Sequence, residues 1–178
     1  MSLAHAILGM LRRGPMTGYE LKTRCFDGSI AHFWPADQAQ IYRTLERMAA
    51  DGWLESTLEI QETRPNRKEY RITDAGVAEL ERWLREPLPL PAYREPFLVQ
   101  LFFAHTIPPA ELDELLVRQR RLHEERVAVY RAIPLPPVDQ LGGDRELIAA
   151  RLTLDLGLAV EQAHLDWIDR AREVLSER

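Results

Sequence analysis

Apolar residues recur every three or four positions along the first 50 residues, and this spacing predicts three helices. The first ends at Gly14-Pro15, because both residues interrupt a helix. The second begins at Thr17-Gly18, and its apolar members are Tyr19, Leu21, Cys25 and Phe26. The third follows Asp37, a suitable N-cap, and stops at Gly52. Residues 3–52 are therefore expected to form three helices with short connections.

The third predicted helix separates its apolar and polar positions clearly. Its core-facing residues, at i, i+4 and i+7, are Ile41, Leu45 and Met48. At about 100° per residue, the opposite face holds Gln40, Arg43 and Arg47, with Tyr42 on its flank. Such residues are often only a solvated face, yet Arg and Gln can each grip a base edge with two hydrogen bonds. Tyr42 could donate to phosphate or simply pack on the helix flank.

Beyond the third helix the apolar period changes from 3.6 to 2. Alternating apolar residues predict a strand and its return, namely Leu54, Leu58 and Ile60, then Tyr70 and Ile72. The connection turns at Pro65-Asn66 and carries the basic residues Arg64, Arg67 and Lys68. A helix followed by a basic hairpin is typical of a winged helix-turn-helix, whose helix enters a major groove while its hairpin, the wing, lies on phosphate. The basic residues could instead only solubilise the hairpin, and Asn66 could serve the turn alone.

The rest of the chain reads as helical. Thr73-Asp74 opens a fourth helix, and the proline-spaced segment EPLPLPAYREP (86–96) is a stiff linker. We therefore predict a mostly α protein, with a winged helix-turn-helix over residues 1–86, a linker over 87–96, and an all-α domain over 97–178 that pairs two chains and binds an effector.

The last predicted helix is apolar on two sides. One stripe holds Ile148, Leu152, Leu156, Ala159, Ala163 and Trp167, and the other holds Leu147, Leu154, Leu158 and Leu165. A helix apolar on two sides must be covered on two sides. The preceding helices can cover one stripe, and a second copy of the chain is the simplest cover for the other. We therefore expect a homodimer through the C-terminal helices.

Composition adds limits on location and partners. The formal charge is −5, of which residues 1–84 carry −1, so any DNA contact must come from local basic clusters. No apolar run reaches 18 residues, and the N-terminus does not resemble a signal peptide, so no membrane association is expected. The lone Cys25 fits a reducing cytoplasm and is expected to be a buried, inert thiol.

The sequence carries no motif for catalysis or a cofactor. Its histidines lack metal-ligand spacing, and it has neither a glycine-rich phosphate loop nor a nucleophile elbow, so an enzyme is not expected. The large aromatic residues Phe33, Trp34, Tyr70 and Trp83 are expected in the core. Trp167 with His164 is the best candidate for an aromatic-effector site, although packing in a dimer core is the favoured role for Trp167.

Four segments resemble the PadR family of bacterial transcriptional regulators. They are ILGMLRRGPMTGYELK (7–22), HFWPADQAQIYRTLERMAADGWL (32–54), RPNRKEYRITDAGVAEL (64–80) and WLREP (83–87). They occur in this order and span most of residues 3–87. The remainder is similar to the longer helical C-terminal region found in part of the family.

The resemblance implies a dimeric repressor of a palindromic double-stranded DNA operator that responds to phenolic or other aromatic effectors. It assigns DNA contact to the third helix and the wing, here Gln40, Tyr42, Arg43, Arg47, Arg64, Arg67 and Lys68. The family often has proline where this chain has Arg43, so a different operator sequence is expected. The best-studied effector pocket belongs to a shorter subfamily, and no motif carries it onto this chain.

Two other classes of function stay open. The near-neutral N-terminal half also fits a winged-helix module that binds protein and has no specific DNA binding. The helical region could alternatively enclose an aromatic ligand in a carrier that does not bind DNA. Salt dependence separates the DNA-binding regulator from the protein-binding module. DNA affinity falls steeply as salt rises, and the affinity of an apolar protein interface does not.

Overall fold

The computed structural model describes residues 2–59, 67–92 and 94–176. The chain divides into two compact units, Met1–Pro91 and Ala92–Arg178, and the division falls within the segment 87–96 predicted as a linker. The first unit combines helices with one small sheet, and the second is helical. The predicted fold class, a winged helix-turn-helix followed by an all-helical region, is confirmed.

The first unit packs its helices against a three-stranded sheet. Its elements are α1 (Ser2–Leu11), β1 (Met16–Thr17), α2 (Gly18–Glu20), a π-helical segment (Leu21–Ser29), α3 (Gln38–Ala50), β2 (Leu54–Glu59), β3 (Arg67–Ile72) and α4 (Asp74–Arg85). The strand order is β1-β3-β2, and both pairings are antiparallel. The sequence pattern predicts only β2 and β3, because the two residues of β1 are too few to show alternation.

The core of the first unit lies between α1, α3 and the sheet. Ile41, Leu45 and Met48 are completely buried, so the predicted inward face of α3 is confirmed. Gly52 follows the end of α3 with a φ of +76°, a left-handed conformation that glycine adopts without strain. The apolar members predicted for the second helix are buried except Tyr19, which is exposed.

Two of the aromatic residues expected in the core are instead on the surface. Tyr70 is buried, and Trp83 is half-buried against the core. Phe33 and Trp34, in the turn before α3, are 56% and 40% exposed, so their predicted core role is wrong for the single chain. A turn between two short helices offers no enclosed volume for two large rings, and residue type alone does not reveal this.

The second unit is built on a long helical pair. It contains α5 (Pro96–Phe103), α6 (Pro109–Arg131) and α7 (Arg145–Ser176), with single 3₁₀ turns at Ala104–Thr106 and Val138–Gln140. Phe97, Leu116 and Ile168 form its buried core. Among the described residues, no helix is long and apolar enough to cross a membrane.

The two apolar stripes of α7 have different surroundings. In the stripe that contains Leu154, Leu158 and Leu165, these three residues are half-buried or buried. In the other stripe, Leu152 and Leu156 are 58% and 67% exposed. The first stripe therefore packs within the chain except at Leu147, which is 41% exposed. The second stripe is open around Leu152 and Leu156 and half-buried at Ile148 and Trp167.

Candidate nucleic-acid interface

The start of α3 is fixed by a reciprocal capping box. The Gln40 backbone N–H donates to Asp37 Oδ1 at 2.7 Å, and the Asp37 backbone N–H donates to Gln40 Oε1 at 3.2 Å. Two of the helix's first N–H groups are thereby satisfied. The side-chain oxygen Oε1 of Gln40 is engaged in this capping box. The side-chain NH₂ group of Gln40 stays available to donate to a base while the box is formed.

The outer face of α3 presents the polar residues that the sequence predicted for DNA contact. Gln40, Arg43 and Arg47 are exposed. Their opposite face is locked into the core by Ile41, Leu45 and Met48. Arg43 and Arg47 lie one helical turn apart, which is about 6 Å of rise along the axis. This face can therefore present two guanidinium groups and one carboxamide from a rigid support.

Tyr42 packs on the flank of α3 against the start of α2. A Cβ atom added at Gly18 would lie 2.7 Å from both Cε1 and Cζ of the Tyr42 ring. Such a separation is too short for two carbon atoms, so the ring occupies space that only glycine leaves open. The packing role predicted for Tyr42 is therefore present, and donation to phosphate stays a prediction.

Arg67, at the start of the return strand β3, is held by acidic neighbours. Its Nη2 lies 3.3 Å from each carboxylate oxygen of Glu20 and 3.5 Å from Glu69 Oε1. The pKa of Glu20 is lowered, first by the backbone N–H of Thr17 and further by the Thr17 hydroxyl and Arg67, although burial opposes the shift. The guanidinium therefore lies between Glu20 of α2 and Glu69 of β3.

Lys68 is an exposed cation of the described part of the wing. Its Nζ lies 5.3 Å from the centroid of the buried Tyr70 ring, within reach of a cation–π contact. Lys68 faces Leu58 across the β2–β3 pair, and Leu58 is also exposed. The predicted contacts Arg64 and Asn66 lie outside the described residues.

The second unit contains a groove that brings together the two candidate effector residues. It has a volume of about 520 Å³ and is lined by Glu95, Phe97, Leu98, Gln119, Leu122, His123, Arg126, Val160, Ala163, His164 and Trp167. Trp167 meets Phe97 edge-on, with ring centroids 6.4 Å apart. Arg126 and the imidazole of His164 add polar groups to a largely apolar lining, so the groove has both surfaces that an aromatic anion requires.

A buried glutamate contacts one of the two stacked imidazoles that line this groove. Glu161 is 5% exposed, and its carboxylate lies 2.5 Å from His123 Nδ1 and 3.5 Å from Arg126 Nη1. His123 in turn stacks on His164, with ring centroids 4.4 Å apart. Glu161 is not among the site residues predicted from the sequence. The available signal was its position between Leu158 and Leu165 in the inward stripe of α7, where an acid requires partners.

The fold and the exposed face of α3 define a winged helix-turn-helix protein, and two family models match the chain. The model of the PadR-like transcriptional regulator family covers residues 7–82, and that of the virulence activator alpha C-terminal region covers residues 93–176. The chain is 36% identical to Rv1176c of Mycobacterium tuberculosis, a probable transcriptional regulator, over the full length of both. It is 31% identical to the negative transcriptional regulator PadR of Bacillus subtilis, covering 71% of this chain and 69% of that one. The chain therefore belongs to the PadR family of transcriptional regulators, which are not enzymes.

Solved structures share this fold over nearly the whole chain. Bacillus subtilis PadR in complex with operator DNA aligns with a TM-score of 0.87 at 24% identity, covering 98% of this chain and 99% of that one. The same protein in complex with p-coumaric acid gives 0.85 at 23% identity, covering 99% of each chain. The Vibrio cholerae virulence activator AphA gives 0.73 at 31% identity, covering 98% and 96%.

Proposed function

We propose that the protein binds a palindromic DNA operator as a homodimer, represses transcription, and is released by a small aromatic effector. Residues 1–86 would form the DNA-binding domain, 87–96 the linker, and 97–178 the dimerisation and effector domain. The observation that carries the proposal is the outer face of α3, where Gln40, Arg43 and Arg47 are exposed above a fully buried face. PadR of Bacillus subtilis, a negative regulator, has been crystallised with operator DNA.

In this proposal α3 reads base edges and the wing contacts the backbone. Arg43 and Arg47 have the donor geometry for guanine O6 and N7, and Gln40 donates to an acceptor on a base edge. Lys68 contacts phosphate, and so does Arg67, since an arginine has enough N–H donors to serve Glu20 and phosphate together. Tyr42 sets the depth of α3 through its contact with Gly18 and contacts phosphate with its hydroxyl.

The open stripe of α7 supports the homodimer. Leu152, Leu156 and Val160 are 58%, 67% and 46% exposed, and they follow one another at helical spacing. On α5, Phe102 and Phe103 are also exposed, at 76% and 57%. Monomeric proteins seldom expose apolar side chains in such continuous rows. A second copy of the chain covers them most simply, since the partner then presents the same stripe.

The groove beside Trp167 and His164 supports an aromatic effector. Its volume of about 520 Å³ suits a single-ring compound. Trp167 and Phe97 offer an apolar wall, and Arg126 offers a charge for a carboxylate. PadR of Bacillus subtilis has been crystallised with p-coumaric acid, a compound with both features.

Selection of genomic DNA fragments by the purified protein, followed by footprinting at moderate salt, tests the proposal. We expect one protected palindrome close to a promoter. The Arg43→Ala/Arg47→Ala variant should lose this selectivity. The matched control, Arg85→Ala/Arg121→Ala, removes the same charge from exposed positions on α4 and α6 and should keep it. A folded wild-type protein that enriches no sequence, or binding that does not weaken as salt rises, would favour the protein-interaction module instead.

The sign of regulation is tested separately. The family model of the C-terminal region and the AphA structure are both named for activators of virulence. A reporter fused to the selected promoter should therefore be measured with and without the protein. If the protein is a repressor, reporter output falls when the protein is present and recovers when an aromatic acid is added. If it is an activator, reporter output rises when the protein is present.

A further inference from the structure

Glu20 lies where three elements of the first unit meet. Thr17 pairs with Glu69 of β3 in the sheet and also caps α2. Glu20 Oε2 accepts hydrogen bonds from both the Thr17 backbone N–H and the Thr17 hydroxyl, each at 2.9 Å. The Glu20 backbone N–H donates to the same hydroxyl at 3.1 Å. The carboxylate is therefore fixed by β1 and α2 before it meets the wing.

Arg67 reaches this fixed carboxylate from the wing. Its Nη2 lies 3.3 Å from both oxygens of Glu20, and the two residues are 47 positions apart in the chain. In the β2–β3 pairing, Arg67 faces Glu59 and is the first residue of β3. Arg24 Nη1 lies 3.9 Å from Glu20 Oε1. One carboxylate thus ties the beginning of the return strand to the helix that precedes α3.

The negative charge of Glu20 is not required by the capping box. Glutamine at this position also accepts from the N-cap backbone, and Gln40 does so in the box of α3. A carboxylate on the surface that faces DNA repels phosphate, so the charge has a cost for any DNA binder. The neighbours for which the carboxylate charge matters are Arg67 and, at the longer distance of 3.9 Å, Arg24. Arg67 gains more, because charge-assisted hydrogen bonds are stronger than neutral ones.

We propose that Glu20 is a positioning residue of the DNA-binding surface: by holding Arg67, it fixes the angle between the wing and α3. This inference rests on the proposed DNA binding. A wing held at one angle lets α3 and the wing engage together only on DNA of matching shape. Glu20 therefore lowers affinity for DNA in general and raises discrimination in favour of the operator.

The test is the ratio of operator affinity to affinity for a scrambled fragment, measured with the full-length protein and the fragment that wild type selects. Glu20→Gln keeps the capping box and removes the charge. We expect the ratio to fall about fivefold, the size of one partly exposed ion pair, while affinity for the scrambled fragment does not fall. Glu81→Gln removes a carboxylate from an exposed ion pair with Arg85 on α4, away from the proposed DNA contacts, and should leave the ratio unchanged.

Charge reversal separates positioning from a general loss of folding. Glu20→Arg and Arg67→Glu should each lower the ratio, and the double variant Glu20→Arg/Arg67→Glu should recover part of it. An unchanged ratio in Glu20→Gln, with wild type selecting a sequence, would overturn the inference and leave the proposed function standing.

Hydrogen exchange tests the tie without operator DNA. If wild type selects no sequence, the proposed function fails, and the amides of Glu69 and Tyr70 in the β1–β3 pairing still report on Glu20. Faster exchange there in Glu20→Gln, with unchanged exchange in α1, supports the tie. Equal exchange in both proteins overturns it.

Discussion

At the scale of single residues, the Tyr42 ring of α3 can pack against α2 only because Gly18 has no side chain. Gly18→Ala brings a methyl group to 2.7 Å from the Tyr42 ring, so the ring or α3 must shift. We expect a loss of about 1–3 kcal/mol in the free energy of unfolding, the usual cost of overpacking. Urea denaturation measures it. In a Tyr42→Ala background the same substitution should cost much less, and an equal cost in both backgrounds would contradict the clash.

Glu79 on α4 makes the free energy of unfolding depend on pH in the acidic range. Arg82 donates two hydrogen bonds of 2.8 Å to its carboxylate, and His5 Nε2 lies 3.0 Å from Oε1. These bonds, those from Arg82 first, lower the pKa of Glu79 to about 2. Since the folded pKa lies below the ordinary value of 4.5, this stabilisation is complete above about pH 4.5 and is lost as pH falls through about 2.

The expected result is a difference in unfolding free energy between wild type and Glu79→Gln that is constant near neutral pH and shrinks below about pH 4.5. Urea midpoints at a series of pH values measure this difference. In an Arg82→Ala background most of the pH dependence should disappear, because Arg82 is the main cause of the shift. A difference that does not change down to pH 3 would show that the carboxylate is not stabilised in this way.

At the scale of elements, the cap of α3 supports the whole reading face. Asp37→Ala removes the acceptor for the Gln40 N–H, while the backbone N–H of residue 37 can still donate to the Gln40 side chain. We expect a loss of about 1 kcal/mol of stability and faster amide exchange in the first turn of α3. Asp37→Asn keeps a side-chain acceptor and is the matched control. Equal losses for the two variants would mean that the charge of Asp37, and not its hydrogen bond, supports the helix.

The same helix shows how far the sequence predicts this fold. The N-cap, the buried face and the glycine stop of α3 are all local signals, and the structure confirms each of them. Features that depend on distant partners were not predicted. β1 forms because Met16 and Thr17 pair with Tyr70 and Glu69, which lie more than 50 residues later in the chain. The pairing of Glu20 with Arg67 was missed for the same reason, since neither residue has a local pattern that names the other.

At the scale of the whole molecule, the open stripe of α7 connects assembly to DNA binding. Leu156→Glu places a charge in the middle of the stripe and should shift dimers to monomers in sedimentation velocity. Operator affinity should fall with it, because two linked half-site contacts become two separate ones. Gln162→Glu adds the same charge at an exposed position on a neighbouring face of α7 and should leave both properties unchanged. A Leu156→Glu variant that remains dimeric would place the dimer contact elsewhere.

The buried acid of α7 also has a consequence for how the second unit folds. A pair of long helices with leucine-rich faces can slide by one turn and still bury apolar surface. Glu161 opposes this, because the observed alignment is the one that brings His123 and Arg126 of α6 to its carboxylate. In a slipped alignment the charge would be buried without a partner, at a cost of about 3–5 kcal/mol. Together with the Arg120–Asp169 and Asp113–Arg172 pairs, this buried acid thus favours one folded register of the helical hairpin.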